Sequence, residues 1–244
     1  VSLMAETPEE KGLRLMTELK LSDQGFADVR STLTMSLKDR HGNTSQRFMR
    51  NKTLEVSGDG DKSMIIFDRP RDVKGTALLT FAHKVNDDQW LYLPALKRVK
   101  RISSSNKSGP FMGSEFAYED IGSEEVEKYT YKYVRHEKFR GADCYVIERY
   151  PVDKRSGYTK QVVWVHIADQ KFVKTTYYDR KKQHLKTLVA SDYQLFLDKH
   201  WRPGKMYMVN HINGKETVLL FKDYKFKTGL KTRDFDKNSL KRAR

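Results

Sequence analysis

From Asp28 onward the chain alternates, and that alternation limits the fold more than any other feature. Val29, Ser31, Leu33, Met35 and Leu37 share one parity, while Arg30, Thr32, Thr34, Ser36 and Lys38 share the other. A period of two sends successive side chains to opposite faces of an extended strand. His41-Gly42-Asn43 then turns the chain, and a return strand is predicted from about Ser45 to Val56. Gly58-Asp59-Gly60 makes the next turn, into Met64-Ile65-Ile66-Phe67. Further strands are predicted for Gly75 to Lys84, Gln89 to Leu93 and Lys97 to Ser103, then Tyr129 to Lys138 and Asp143 to Tyr150. Tyr158 to Ile167, Phe172 to Asp179 and Leu185 to Leu197 follow. The last pair is Lys205 to Ile212 and Lys215 to Lys227, joined at Asn213-Gly214. That dipeptide is the strongest short hairpin signal, since a two-residue turn of this kind needs positive φ at both positions.

About a dozen strands joined by short polar turns make a meander, which curls into a barrel or half-barrel. Helix is scarce. Thr7-Pro8-Glu9-Glu10 opens one helix, with Thr7 as cap, Pro8 in the first turn and Glu10 closing a capping box. Leu13, Met16 and Leu19, with Leu15 beside them, carry an apolar stripe to about Leu21. The apolar fraction is 38% and the charged fraction 32%, against about 45–50% apolar in an ordinary domain. One curved sheet around an interior fits so thin a core better than two stacked layers. The predicted fold is mainly β: an incomplete, half-open antiparallel barrel with an N-terminal helix and a short helical or loop lid. No linker, repeat or low-complexity tract divides it, so residues 1–244 are read as a single domain.

Trp90 to Ile121 is the most distinctive stretch. A strand apolar on both faces, Trp90-Leu91-Tyr92-Leu93, is broken by Pro94, which cannot donate to a ladder. A basic stripe follows, Lys97, Arg98, Lys100 and Arg101, threaded by Leu96, Val99 and Ile102. A Ser/Asn/Gly/Pro loop then leads to Phe111, Met112, Phe116 and Tyr118, with Gly109 and Gly113 permitting movement.

The net charge of +15 favours anionic partners such as nucleic acid, a phospholipid surface or an acidic protein. The single cysteine, Cys144, has no internal disulfide partner. No run approaches the roughly 18 apolar residues of a membrane-spanning helix. Val1-Ser2-Leu3-Met4-Ala5 reads as a signal-peptide remnant or a cloning scar, because small Ala5 before Glu6-Thr7 suits signal-peptidase cleavage. Catalytic signatures are absent: there is no G-x-S-x-G, H-E-x-x-H or Gly-rich phosphate loop. His41, His83, His136, His166, His184, His200 and His211 are scattered, none at metal-ligand spacing. The acid pairs Glu119-Asp120 and Glu124-Glu125 read as solvated loop residues. No catalytic residue, metal or cofactor is expected.

Two binding functions stay open on the residues alone. Tyr129, Tyr131 and Tyr133 on one strand face, amid basic residues, form a stacking platform for single-stranded nucleic acid, or else a buried aromatic stripe. Alternatively the inner face of a half-closed sheet, rich in Leu, Phe, Tyr, Trp and eight methionines, holds an apolar ligand. An accessory subunit of an envelope complex is a further alternative.

Arg69-Pro70, then Asp87-Asp88-Gln89-Trp90, Tyr92 and Pro94, occur in the order found in the outer-membrane lipoprotein-sorting family, the LolA-like periplasmic carriers, and the chain resembles that family. The L-K-R-V-K-R-I and G-P-F-M-G-S-x-F segments, and the ending Gly229-Leu230 to Phe235 and Leu240, resemble one branch of it more closely. The resemblance implies an incomplete antiparallel barrel closed by helices, with an apolar cavity for acyl chains. It implies an exported, periplasmic carrier of lipid or lipoprotein, without enzymatic activity and without nucleic acid as partner, that sorts cargo to the outer membrane or hands it to an inner-membrane transporter. In such carriers the arginine of the Arg-Pro pair ties the lid shut, and Arg69 is the matching position. The expected cavity and lid residues are Arg69, Trp90, Tyr92, Pro94, Phe111, Met112, Phe116 and Tyr118. Lys97, Arg98, Lys100 and Arg101 are expected to meet an anionic membrane surface.

Overall fold

The computed structural model describes residues 4–243. Val1 to Leu3, part of the expected signal-peptide remnant, lie outside the described residues. Helix α1 (Pro8–Ser22) starts as its capping box dictates: Glu10 N–H donates to Thr7 Oγ1 at 3.1 Å, and Thr7 N–H to Glu10 Oε2 at 2.9 Å. Its buried stripe is Gly12, Leu15, Met16 and Leu19. Gly12 is required by contact, since a Cβ there would sit 3.0 Å from the backbone nitrogen of Tyr133.

The first strands are β1 (Asp28–Lys38), β2 (Thr44–Leu54), β3 (Lys62–Arg69), β4 (Ala77–Phe81), β5 (Asp88–Leu93) and β6 (Arg98–Arg101). A long strap, residues 102–128, carries only short 3-10 turns. The second run is β7 (Tyr129–Phe139), β8 (Ala142–Pro151), β9 (Tyr158–His166), β10 (Lys171–Asp179), β11 (His184–Ser191), β12 (Gln194–Phe196), β13 (His200–Arg202), β14 (Lys205–Asn210) and β15 (Glu216–Phe226). Helix α2 (Lys237–Arg242) closes the described chain. Thirteen strands form one antiparallel sheet in the order β6-β5-β4-β3-β2-β1-β15-β14-β11-β10-β9-β8-β7. The two meanders are joined where β1 meets β15, in the register Met35↔Leu219. Strands β6 and β7 are left as unpaired edges, so the barrel is incomplete. The expected fold, mainly β and half-open, is the observed one.

Two local expectations differ. The strand expected from Leu185 to Leu197 breaks at Asp192, which takes a left-handed φ of 55° while its carbonyl accepts the Gly204 N–H. Its end becomes β12, which pairs with β13 as a separate two-stranded ribbon. The Asn213-Gly214 hairpin forms, but through a longer loop in which Gly214 has positive φ and Asn213 does not. Asn210 Oδ1 accepts the N–H groups of Ile212 and Asn213 and sets that turn instead.

The sheet is apolar on both faces because each face is covered. On the inner face, Leu33, Met35, Met49, Phe67, Leu78 and Leu219 pack with strap residues Phe111 and Phe116. Farther along that face Leu15, Met16 and Leu19 of α1 meet Tyr131, Ile147 and Val163. On the outer face Met64, Ile66, Ala77 and Leu79 are covered by Leu230, Phe235 and Leu240 of the C-terminal segment.

Candidate functional site: a cavity between helix, sheet and ribbon

Where the inner face is filled by neither the strap nor α1, a cavity of about 1250 Å³ remains. Helix α1 contributes Leu13, Met16 and Leu19 to it, and the sheet contributes Val29, Ile65 and Phe221. The end of the strap, from Ile121 to Glu127, and the β12–β13 ribbon, through Trp201 and Arg202, complete the wall.

Ion pairs hold these covers in place. Asp23, which ends α1, accepts Arg202 Nη1 at 2.7 Å and lies 2.8 Å from His200 Nδ1, so the ribbon docks on the helix terminus. Lys199 donates to the Gln24 carbonyl at 2.5 Å. Lys20 Nζ reaches Glu125 Oε1 at 2.8 Å and ties α1 to the strap. Arg149, a fully buried side chain on β8, makes two hydrogen bonds to the Glu124 carboxylate at 2.7 and 2.9 Å and two to Gln161. Asp61 lies beside this group, and burial pushes its carboxyl up to about 6, with Lys20 opposing and Glu125 and Glu55 adding to the shift. Burial likewise raises the phenols of Tyr129, Tyr131, Tyr193 and Tyr224, which stay neutral at the cavity wall. Among the described residues, no group of three or more His, Cys, Asp or Glu side chains is arranged to hold a metal ion.

The strap, expected to be a lid, is held against the sheet by buried packing and polar contacts. Phe111 is 1% exposed, its ring 5.7 Å from Phe67 and 5.9 Å from Tyr118. Asp120 is held by Lys186 Nζ at 2.6 Å and by Tyr158 Oη at 2.7 Å. Glu115 accepts from Asn210 Nδ2 at 2.9 Å, and Glu119 from Ser156 Oγ and the Gly157 N–H, both at 2.8 Å. So many buried polar ties make the strap a fixed wall that fills part of the interior.

The positions of the expected site residues follow from this packing. Phe111, Met112, Phe116 and Tyr118 are brought together on the inner face, as plug rather than cavity lining. Phe116 borders a smaller cleft of about 660 Å³ on the far side of the strap. Trp90 and Tyr92 are not cavity wall. Their parity sends them to the outer face, beneath Leu230, Phe235 and Leu240, while Leu91 takes the inner one. Pro94 starts a short 3-10 turn and packs at Gly75. Arg69 does not tie down the strap: its guanidinium lies over the Phe48 ring, 4.2 Å from the centroid. The arginine that reaches the strap is Arg47, which donates to the Met112 carbonyl. Lys97, Arg98, Lys100 and Arg101 are all exposed along or beside the edge strand β6, with Arg101 also 2.6 Å from Asp88.

Tyr129, Tyr131 and Tyr133 face α1 and are no stacking platform. Tyr131 is 5% exposed and donates to the Val126 carbonyl, and Lys11 caps the Tyr133 ring at 3.8 Å. The cavity residues that the sequence reading missed are mainly Phe172, Tyr193, Trp201, Phe221 and Tyr224. Their one signal was the apolar run Leu195-Phe196-Leu197 followed by His200-Trp201, too long and aromatic for a plain turn.

One family model, described as "uncharacterized protein", matches residues 59–242. An outer membrane lipoprotein-sorting protein domain from Vibrio parahaemolyticus is 56% identical, over 96% of this chain and 99% of its own, with a TM-score of 0.94. A DUF1329 family protein from Desulfovibrio piger is 30% identical, over 96% and 99% of the two chains, with a TM-score of 0.91. A LolA superfamily protein from Nitrosomonas europaea shares the fold, at 19% identity, 93% and 98% coverage and a TM-score of 0.75. No curated protein sequence matches.

Proposed function

The chain belongs to the outer-membrane lipoprotein-sorting family, and from that membership we propose that it is a periplasmic, non-enzymatic carrier of lipid or lipoprotein acyl chains, working as one domain. The observation that carries this reading is the cavity of about 1250 Å³, larger than the roughly 300–1,000 Å³ that suits a drug-sized ligand. Each methylene moved from water into it contributes about 0.8 kcal/mol, so even one acyl chain is held firmly. Because the strap is fixed, cargo passes between α1 and the β12–β13 ribbon, where Asp23 and Lys199 make the closing contacts.

Release needs a receiving surface. Lys97, Arg98, Lys100 and Arg101 project from a sheet edge and meet anionic headgroups, or an inner-membrane transporter embedded among them. The test of the carrier reading is solvent extraction of protein purified from its native compartment, followed by mass spectrometry. An amphiphile in stoichiometric amount is expected. An empty protein that also fails to take up a fluorescent fatty-acyl probe overturns the reading.

A further inference from the structure

The cavity wall is not uniformly apolar. Its aromatic part comes from the C-terminal strands and the ribbon, through Phe172, Tyr193, Trp201, Phe221 and Tyr224. Its other part comes from β1, β2 and β3, where Ser31, Asn51, Thr53 and Ser63 face the cavity alongside the apolar Val29 and Ile65. Ser31 stands directly opposite Asn51, and Thr53 opposite Ser63, so the four form a stepped polar strip across three strands, with Ile65 completing the first row and Val29 the second. Ile65 and Leu33 continue the same faces with apolar residues, which marks the strip as a local change of character.

These groups are not used by the fold. Among the described residues, none of the four side chains has a hydrogen-bond partner in the protein, and none is sealed away from the cavity. Ser31 is only 6% exposed. Hydroxyl and amide groups turned into a half-open cavity complete their hydrogen bonds with a ligand or with water. Four of the six cations around them are already matched. Lys20 is paired with Glu125, Arg149 with Glu124, Lys171 with Asp169 and Arg202 with Asp23, all within 2.7–2.8 Å. Lys84 and Lys199 have no carboxylate partner among the described residues, but an anionic headgroup entering here meets a wall of seven carboxylates, Asp61, Glu124 and Glu125 among them, against six cations. A chain of net charge +15 thus encloses a cavity whose wall carries no net positive charge.

We propose that the strip recognises the uncharged ester or amide end of an acylated ligand. The acyl chains lie against the aromatic side, and the carbonyl oxygens accept hydrogen bonds from Ser31, Asn51, Thr53 and Ser63. This rests on the carrier reading and sharpens it, from an acyl-chain cavity to one that selects neutral acyl esters and amides. Basic residues at the sheet edge serve the membrane surface, and the interior reads a neutral group.

The test uses delipidated full chain and competition with a fluorescent fatty-acyl probe. The competitors are dioctanoylglycerol, the phosphatidic acid with the same chains, and an alkane of equal chain length. Dioctanoylglycerol is expected to bind at least about tenfold more tightly than either of the others, the equivalent of one or two net hydrogen bonds. In the double variant Asn51→Leu/Thr53→Val, near-isosteric and facing open space, the preference over the alkane is lost while alkane binding persists. Equal binding of diacylglycerol and alkane to the wild type, or an unchanged preference in the variant, overturns the strip's role and leaves the carrier reading standing. Tighter binding of the phosphatidic acid overturns the neutral-group assignment. Failure of the probe and of all three competitors to bind overturns the carrier reading itself.

Discussion

Lys186 Nζ lies 2.6 Å from Asp120 Oδ2, with the two side chains 4% and 5% exposed. The pair joins β11 to the strap across 66 residues of chain. Lys186 also donates to the Glu115 carbonyl, and Tyr158 donates to the same Asp120 carboxylate. Removing one partner leaves the other charge buried without compensation, which costs about 3–5 kcal/mol. Lys186→Met is therefore expected to destabilise by about that amount in urea denaturation. Lys186→Met/Asp120→Asn should recover part of the loss, and a single variant as stable as wild type would show that the strap is loosely held.

Asp61 gives the chain a pH-dependent weakness. Its carboxyl is raised from 3.8 to about 6 by burial, so above pH 6 the folded protein carries an ionised group that prefers the unfolded chain. Below about pH 4 the group is protonated in both states and the cost vanishes. Asp61→Asn should then stabilise by about 1–3 kcal/mol at pH 8, less through pH 5–6, and not at pH 4. Melting temperatures of both proteins at these pH values check the sign, and a pH-independent difference would refute it.

Ile65 faces both the inner-face cluster and the open cavity. Ile65→Trp has room to extend into that space, so stability should change by less than about 2 kcal/mol. Acyl-probe affinity should fall by about tenfold or more as volume is lost. Undiminished affinity would place the bound chains elsewhere.

Arg47 and Arg69 should separate cleanly. Arg47→Ala removes the donor to the Met112 carbonyl and is expected to cost about 1–3 kcal/mol. Arg69→Leu removes an exposed stacking contact on Phe48, worth about 0.5–1 kcal/mol. Cargo-transfer kinetics should be unchanged by the Arg69 substitution, and a marked effect would restore Arg69 as the residue that holds the strap.

Lys97, Arg98, Lys100 and Arg101 changed together to Gln should weaken vesicle binding by about 1 kcal/mol per charge on anionic lipid and not at all on zwitterionic lipid. Co-sedimentation at low and high salt reads this, since salt screens the wild-type contact. Equal binding to both vesicle types would remove the stripe from membrane contact.

Much of the architecture was legible because it is local. The Thr7–Glu10 box starts α1 where the sequence places it, and strands followed the alternation to within a few residues. Parity also separated Trp90 and Tyr92 from Leu91. It carried no information on which set would face the interior, because both are large and apolar. The strap's glycines suggested movement, yet its acids Glu115, Glu119, Asp120 and Glu124 meet partners more than 20 residues away that no local pattern announces.

Sequence alone therefore determined the strands, the helix and the antiparallel order of neighbours, because backbone preference and side-chain period act over a few residues. Tertiary structure decided the rest: that β1 pairs with β15, that the C-terminal segment covers Trp90, and that a cavity survives between α1 and the ribbon. Those outcomes depend on which apolar face finds which cover, a competition among surfaces more than a hundred residues apart in the chain. A void, in particular, has no residues of its own. It is the space left when the covers on every side have been placed, and so it is the last feature that a sequence can declare.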